Sequence, residues 1–589
     1  MIHVLPPGAS PPGAVGLYVP AAGAKVTREG TIASLLRGKT ENALLGGKPS
    51  GKILVDLTTV RASGPAVYVT LPPPAKHPNT KRYLVDIDAP GFDGILTSGS
   101  TRIDGLVALP DITQAAVALA EGTSPDIYSV SGSRADLREL DQRMTRIHHD
   151  RGWTMFALVI SYIALVLLTR TVAVLAPAAA LTASLLLSAL GVTRLWLVIA
   201  AIVALTVILA FAGAARHRLV PGAVALFLAG YLAVLAWSSE TNSLAVLGAR
   251  PDGGGRFYGI SNQVETLLLV PVLAAVAVAG VPGGVVLAAL ALVTVGWSKA
   301  GADGGGLVVF AAALAVLFLR SSRATFTWRR TAVAAATAAL VVAALIGIDA
   351  ASGGSSHVTH SVGSGSLVGD FTRRMHLSWA SVTRGWPSIA LFLGCVAVLA
   401  WIATRRPRRP AVDAMLVGLV LSLLVNDTPV DVILLGTLGC LALLRFESVD
   451  SRPMRGRLLT AVCAAGAVLI LAGCGKEGVQ RATPQTVVGT VQQEAPGKAI
   501  FVNQGCGSCH TYGPAGPDAK GSIGPDLDKL SQYAKQAKQP LDTFVHESIV
   551  KPEAYIQPGY PKGVMPKSYA SLSAADLKDL VDFLTKPQG

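Results

Sequence analysis

Apolar and polar positions divide the chain into four zones. In residues 1–150 short runs alternate with Gly and Pro turns, and Lys52–Leu57, Ala66–Leu71 and Tyr83–Ile87 read as strands. Ser133–His149, rich in Arg, Asp and Glu, reads as a helix. From 153 to 445 the pattern changes to long apolar runs between short polar loops. Eleven runs are read, near 153–169, 172–192, 195–215, 219–237, 263–281, 282–297, 307–320, 331–349, 388–404, 411–426 and 430–444. Most reach or approach the ~20 residues a helix needs to cross a ~30 Å hydrocarbon core. The pair at 263–297 is divided only around Val281-Pro282-Gly283-Gly284, and 307–320 is short. A third zone, 454–474, holds the apolar run Leu458–Ile470. In the fourth, 475–493 is polar and reads as a flexible tether. Residues 494–589 then return to short amphipathic helices, near Glu494–Gly505, Leu541–Val550 and Ala574–Thr585. The last places Leu577, Leu580, Val581 and Leu584 on one stripe, with Ser573 as its N-cap and Asp576 at N3.

Composition sharpens this picture. Of 589 residues, 51% are hydrophobic and 15% charged, against roughly 25% charged in soluble domains. That excludes a cytosolic enzyme, a disordered chain and a secreted disulfide scaffold, and requires a membrane protein. The net charge of +14 is no nucleic-acid signal, because most Arg sits in short loops between apolar runs, where it orients helices. The densest clusters are Arg320/Arg323/Arg329/Arg330, Arg405/Arg406/Arg408/Arg409 and Arg445/Arg452/Arg455/Arg457. Counting helices places all three on one side, which is then cytoplasmic; Arg216 and Arg218 agree. The loops 238–262, 298–306 and 350–387 then face outward, as does the 1–150 domain. Arg373, Arg374 and Arg384 fall in an outer loop against the rule, and read either as functional or amphipathic-surface charges or as the sign of a miscounted helix.

The zone 454–474 begins Met454-Arg455-Gly456-Arg457 and closes Leu471-Ala472-Gly473-Cys474. A basic start, an apolar run and small residues before a Cys resemble a bacterial lipoprotein signal, which belongs at an amino terminus. The alternative is a twelfth transmembrane helix. The reading expected here is two units fused at Met454. The start MIHVLPPGAS has no apolar stretch of a secretion signal, and a front part of the first unit is expected to be missing. Either way, whatever follows Cys474 is delivered outside.

The chemistry sits at Cys506-Gly507-Ser508-Cys509-His510. A C-x-x-C-H run is the attachment signature of c-type haem. Two thiols three residues apart on one turn can reach both vinyl groups of a porphyrin, and the next residue carries an imidazole under the iron. Rival readings are a redox dithiol and half a zinc site. The first wants a βαβ context, and the second wants a further Cys/His pair where the domain offers only His546. A Met opposite the His raises the potential of such a haem, and after residue 454 the segment contains one Met, Met565, in the Gly- and Pro-flanked run Tyr560–Pro566. Met565 is therefore the expected sixth ligand, with His546 as the bis-His alternative. Cys395, Cys440 and Cys463 lie in apolar runs and read as inert.

Residues 494–589 resemble a class I c-type cytochrome. The resemblance rests on Gly497 and Phe501, the Cys-Gly-Ser-Cys-His run, Gly524-Pro525-Asp526-Leu527, Tyr560…Met565-Pro566 and Leu580-Val581-Asp582-Phe583-Leu584, in that order. It implies that the Pro525 carbonyl accepts a hydrogen bond from the proximal His510. The stretch Val550–Pro566 is most similar to cytochrome modules attached to some bacterial oxidase subunits; the paired-Cys copper motif of those subunits is not found, and no copper is expected. More weakly, the membrane half resembles a family of actinobacterial polytopic proteins with an alkaline-phosphatase-like outer domain. That likeness rests on Ala249-Arg250-Pro251, Gly255–Gln263 and Gly301–Gly306, with Gly94–Ser98 and Leu109-Pro110-Asp111 similar to the tail of the outer domain. The metal-binding residues of such a hydrolase are not visible in 1–150.

The expected fold class is mainly α: a polytopic helical membrane bundle (151–446), a small all-α cytochrome c domain (494–589) and a small mixed α/β amino-terminal domain (1–150), outside the cytoplasm. The expected function is electron transfer by a membrane-tethered cytochrome with one covalent haem c, held by Cys506, Cys509, His510, Pro525 and Met565, with His510 and Met565 on the iron. Expected partners are a quinol-oxidising complex or a terminal oxidase and the lipid membrane, not nucleic acid. The chain is then an electron carrier rather than a catalyst on its own. The alternative is a polytopic transferase or transporter for a phosphorylated lipid or glycan, with the cytochrome as an appended module. That alternative draws on Glu240, Arg250, Asp252, Arg256, Lys299, Asp303, Arg373 and Arg374 in the outer loops and on Glu265 near a helix start.

Overall fold

A computed structural model describes the chain apart from residues 1, 6–12, 23–24, 38–54, 57–63, 74–76, 214–216, 255, 322–326, 352–374, 376–377, 406, 408, 427, 448–495, 505, 516–518, 520, 523, 561–562, 564, 566–568, 571, 573 and 587–589. The signal-like segment, the tether, Cys463, Cys474, Arg373, Arg374 and the expected cap Ser573 lie outside the described residues.

The amino-terminal part is a mixed sheet. Its strands run in the order Ile127–Val130, Ile95–Ser98, Ala14–Tyr18, Tyr83–Asp88, Ala66–Val69, Ile2–Val4 and Val55–Asp56, with Leu106–Val107 beside Ala14–Tyr18. The two central strands pair antiparallel with Val15 opposite Asp86 and Leu17 opposite Leu84, while Ile2–Val4 runs parallel to both its neighbours. Helix Leu109–Glu121 buries Leu109, Ile112 and Ala115 against the sheet core, and Gly122 ends it in the left-handed region.

Among the described residues nine helices are long and apolar enough to cross a membrane, and Pro410–Val425 is a shorter apolar one. Helices such as Leu195–Gly213 are apolar all round yet expose Leu197, Ile208 and Phe211. Exposed apolar surface of that kind is stable in lipid and not in water. Trp196, Trp237, Trp328 and Trp386 stand exposed at or near helix ends, where amphipathic rings meet the headgroup layer. The helical unit is that of a membrane protein.

One reading changes in form. The helix expected at 133–149 and the span expected at 153–169 are one helix, Arg134–Leu168. A switch from polar to apolar sequence does not interrupt backbone hydrogen bonding, and no Pro intervenes. Ser133 and Asp136 form the capping box at its start. The spans expected at 263–281 and 282–297 are two helices of the stretch Asn262–Gly296 that meet at Gly280, where the backbone leaves helical geometry.

The ends of the bundle differ chemically. At one end Arg320 pairs with Asp413 at 2.9 Å, Arg409 donates to the Leu444 carbonyl, and the Glu447 carboxylate accepts from the Ala411 and Val412 N–H groups at the start of Pro410–Val425. Burial raises the Glu447 carboxyl, against those two hydrogen bonds. Elsewhere in the unit, Arg151 is buried on Arg134–Leu168. It donates to the carbonyls of Val246 (3.0 Å) and Ala249 (3.1 Å) and lies 3.5 Å from Asp252, whose other oxygen meets His148 Nδ1 at 2.7 Å. Burial alone would raise Asp252. The His148 hydrogen bond and the charges of Arg151 and Arg250 outweigh it and hold the carboxyl at about 2.

The unfolded carboxyl titrates near about 3.9, above the folded value. As the pH falls, the unfolded chain takes up the proton first. The stabilisation is therefore complete above about pH 4 and is lost on acidification toward about pH 2. Asp252→Asn is expected to lower the stability of the helical unit by on the order of 3 kcal/mol, by leaving Arg151 buried without its counter-charge. It should also flatten the acid limb. Thermal melts of the detergent-solubilised chain across an acid series check both.

Candidate functional site

The carboxy-terminal domain is organised by the meeting of its first and last helices, Pro496–Asn503 and Ala574–Thr585. They approach closely because position 497 has no side chain: a Cβ there would overlap the Asp579 carbonyl oxygen and the Phe583 Cβ. Three rings pack at this contact. Tyr512 meets Phe583 edge-on at 5.3 Å, and Phe501 lies 5.6 Å from Tyr512 and 6.0 Å from Phe583. The Tyr512 hydroxyl donates to the Phe583 carbonyl at 3.0 Å, which satisfies the polar end of the ring.

Cys506–Ser508 forms a 3₁₀ turn, and the N–H groups of Cys509 and His510 both donate to the Cys506 carbonyl, at 3.2 and 3.0 Å. This turn brings both thiols and the imidazole to the wall of one cavity of about 370 Å³, within the ~300–1,000 Å³ of small-molecule and cofactor sites. His510 Nδ1 lies 2.7 Å from the Pro525 carbonyl oxygen. A carbonyl only accepts, so Nδ1 carries the proton and Nε2 keeps its lone pair. Burial lowers the His510 basicity, against the Pro525 hydrogen bond, and the ring stays neutral. Gly524 lies flat against it: a Cβ there would overlap the imidazole. The position of Pro525 agrees with what the resemblance implies.

Met565 lines the same cavity, as do Leu530, Phe544, Ile549, Tyr555 and Leu580. His546, on Leu541–Val550, is exposed and does not line it. The helix turns Phe544 and Val545 inward instead, so the bis-His alternative has no geometry behind it. Burial, with the adjacent Cys509 thiol adding to it, pushes Cys506 up to about 11. A redox dithiol needs a lowered thiol, so the thioredoxin-like reading fails on electrostatics. Among the described residues no three His, Cys, Asp or Glu side chains converge as a zinc site would need.

The residues fit a covalently attached haem. Two thiols and a neutral nitrogen donor share one wall, a thioether lines the same chamber, and the remaining lining is largely apolar. Tyr569 also lines the chamber and donates to the Gln504 carbonyl at 3.1 Å. Neither Tyr569 nor Tyr512 is distinguished in the sequence, since nothing local marks either ring as buried.

The charged residues of 238–262 and 298–306 and Glu265 do not form one group among the described residues. Asp252 belongs to the His148–Arg151 cluster. Arg256 lies 3.8 Å from Asp303, and Glu265 is bonded to Asn426. Glu240 is half-buried, and burial raises its carboxyl against the charge of Arg143.

With this geometry in hand, the comparisons are informative for one part of the chain. Residues 494–587 match the family model for cytochrome c. No curated protein and no solved structure matches the chain. Residues 494–587 are a c-type cytochrome domain, a haem-based electron-transfer module, and the family implies covalently bound haem c with iron.

Gly497→Val is expected to force the two terminal helices apart, at a cost of ~1–3 kcal/mol or more. Tyr512→Phe, which removes one buried hydrogen bond, costs about 1 kcal/mol. Proteolytic resistance of the carboxy-terminal domain in the intact chain ranks the two against wild type.

Proposed function

We propose that the chain is a membrane-tethered c-type cytochrome that carries single electrons on the outer side of the cytoplasmic membrane, between a quinol-oxidising complex and a terminal oxidase. One observation carries the reading: Cys506, Cys509, His510 and Met565 line a single cavity. Bound haem supplies one-electron exchange at its iron. The protein supplies everything else. Cys506 and Cys509 hold the group through thioether bonds. His510 would offer Nε2 to the iron, and the Pro525 carbonyl, by accepting a hydrogen bond from the Nδ1 N–H at 2.7 Å, fixes the ring and makes Nε2 a better donor. Met565, which lines the same cavity, would hold the iron through its thioether, which would raise the potential relative to a second imidazole. Leu530, Phe544 and Ile549 keep water from the chamber, so little solvent reorganises when the charge changes.

Orientation follows from charge. The end that bears Arg320, Arg409 and Arg445 is cytoplasmic by the positive-inside rule. The segment 454–474 then leads outward, Cys474 serves as a lipid-anchored end or as the end of a last span, and 475–493 tethers the cytochrome. That placement suits haem attachment, which takes place on reduced thiols outside the bacterial cytoplasmic membrane.

The purified chain is expected to show c-type absorption bands whose chromophore stays with the protein through acid–acetone extraction. Cys506→Ser with Cys509→Ser abolishes the retained colour. Met565→Ala keeps it, loses the weak long-wavelength methionine–iron band and lowers the reduction potential. A wild-type chain with both thiols alkylatable and no covalent haem would refute the reading. Intact mass reads haem addition, and cleavage and acylation at Cys474, in one measurement.

A further inference from the structure

The helical unit contains a second chemical centre that electron transfer does not use. Glu265, on the first turns of Asn262–Gly296, is 1% exposed, and Asp303, just before Gly304–Ser321, is 3% exposed. Glu265 Oε2 accepts from Asn426 Nδ2 at 2.7 Å, and the same amide nitrogen is 2.7 Å from Ser422 Oγ. The Asn426 and Asp303 side-chain oxygens come together over Gly305, at 3.4 and 3.6 Å from the point where its Cβ would be. Asp303 Oδ1 accepts from the Gly306 N–H at 3.0 Å and faces Arg256 at 3.8 Å. Among the described residues two oxygens of this centre, Glu265 Oε1 and Asp303 Oδ2, are buried without a hydrogen-bond partner.

Charge decides what is missing. Two carboxylates face one guanidinium. Arg256 compensates Asp303, and Glu265 is left as a net negative charge inside an apolar bundle. An uncompensated buried charge costs several kcal/mol. Among the described residues the other elements packed around it bring no cation: Ser378 donates to the Asn426 carbonyl, and Asp431 is engaged by the Gln263 amide at 2.7 Å. A metal cation fits poorly, since hard cations gather about six or more oxygens and one Glu265 oxygen already faces an amide donor. No group of three acidic, His or Cys side chains converges among the described residues.

The geometry points to Glu265 as a proton-binding site inside the membrane bundle, holding one proton at rest with Asp303 and Arg256 as its charge-compensated flank. The bond formed is O–H on the Glu265 carboxylate, and the bond broken is an O–H of a hydronium ion of the solvent, which is left as water. It cancels the excess charge and supplies the hydrogen that the orphan oxygens lack. Ionisable groups buried at such depth mark proton or ion pathways, so the polytopic half is assigned proton-linked chemistry of its own. The assignment does not rest on the cytochrome reading.

Infrared spectroscopy of the full chain in lipid nanodiscs tests it. At neutral pH the wild type is expected to give a carboxylic-acid carbonyl band that shifts in D2O and is missing from Glu265→Gln. That variant is isosteric with the protonated side chain and should melt like the wild type. Asp303→Asn leaves Arg256 free to compensate Glu265, so the band should disappear there although Glu265 is intact; should this variant misfold, the wild-type and Glu265→Gln spectra decide. No such band in the wild type, or a band that persists in Glu265→Gln, overturns the proposal. So does a wild-type band abolished by sodium chloride but not by choline chloride, which would make the ligand a metal cation.

Discussion

A neutral imidazole pinned by one carbonyl is the constraint that the carboxy-terminal domain is arranged to maintain. His510 can offer Nε2 to a metal while Nδ1 keeps its proton, and the Pro525 carbonyl 2.7 Å away accepts the hydrogen bond that this N–H donates. For the carbonyl to be there, residue 524 must lie against the ring with no Cβ. For the ring to be there, the 3₁₀ turn after Pro496–Asn503 must follow directly from the terminal helix contact, which itself needs a bare α-carbon at 497. The domain is short, and such a unit buries too little surface to be firmly stable on its own core. A large apolar group filling the 370 Å³ chamber therefore completes the core as well as the chemistry.

The helical unit solves the opposite problem. It has apolar surface in excess and must place its few charges where they cost least. Most are put at the ends, in pairs such as Arg320 with Asp413 or in caps such as Glu447 on Pro410–Val425. Arg151 and Asp252 go inward as a matched set with His148. Among the described residues Glu265 has no side-chain cation paired to it, and for that reason it stands out from the rest.

Legibility in the sequence followed the strength of the physical demand. Lipid tolerates only long apolar helices, so the spans could be read directly, as could the break in 262–296 at Gly280, next to Val281-Pro282. The C-x-x-C-H spacing is fixed and local, so Cys506, Cys509 and His510 stand out in the sequence, and Met565, the one Met after residue 454, lines the same cavity. What could not be read depends on residues far apart in the chain. Asn426 meets Glu265 across 161 positions, and Tyr512 meets the Phe583 carbonyl across 71. The junction near residue 150 was misjudged for a local reason: the change from charged to apolar sequence marks a change of surroundings, and the helix continues through it because Arg151 finds carbonyl partners inside the protein.

That uninterrupted helix has a mechanical meaning. At 1.5 Å per residue, the 35 residues of Arg134–Leu168 make a rod of about 52 Å, against a hydrocarbon thickness of ~30 Å. The stretch before the exposed Trp153 accounts for about 28 Å of it. That stretch is fastened as well: Arg143 donates to the Ser188 carbonyl, Arg146 to the Thr193 hydroxyl, and His148 meets Asp252. A stiff rod held along both halves cannot swing at one end alone, so a tilt at membrane depth is passed whole to the segments around Ser188, Thr193 and Asp252.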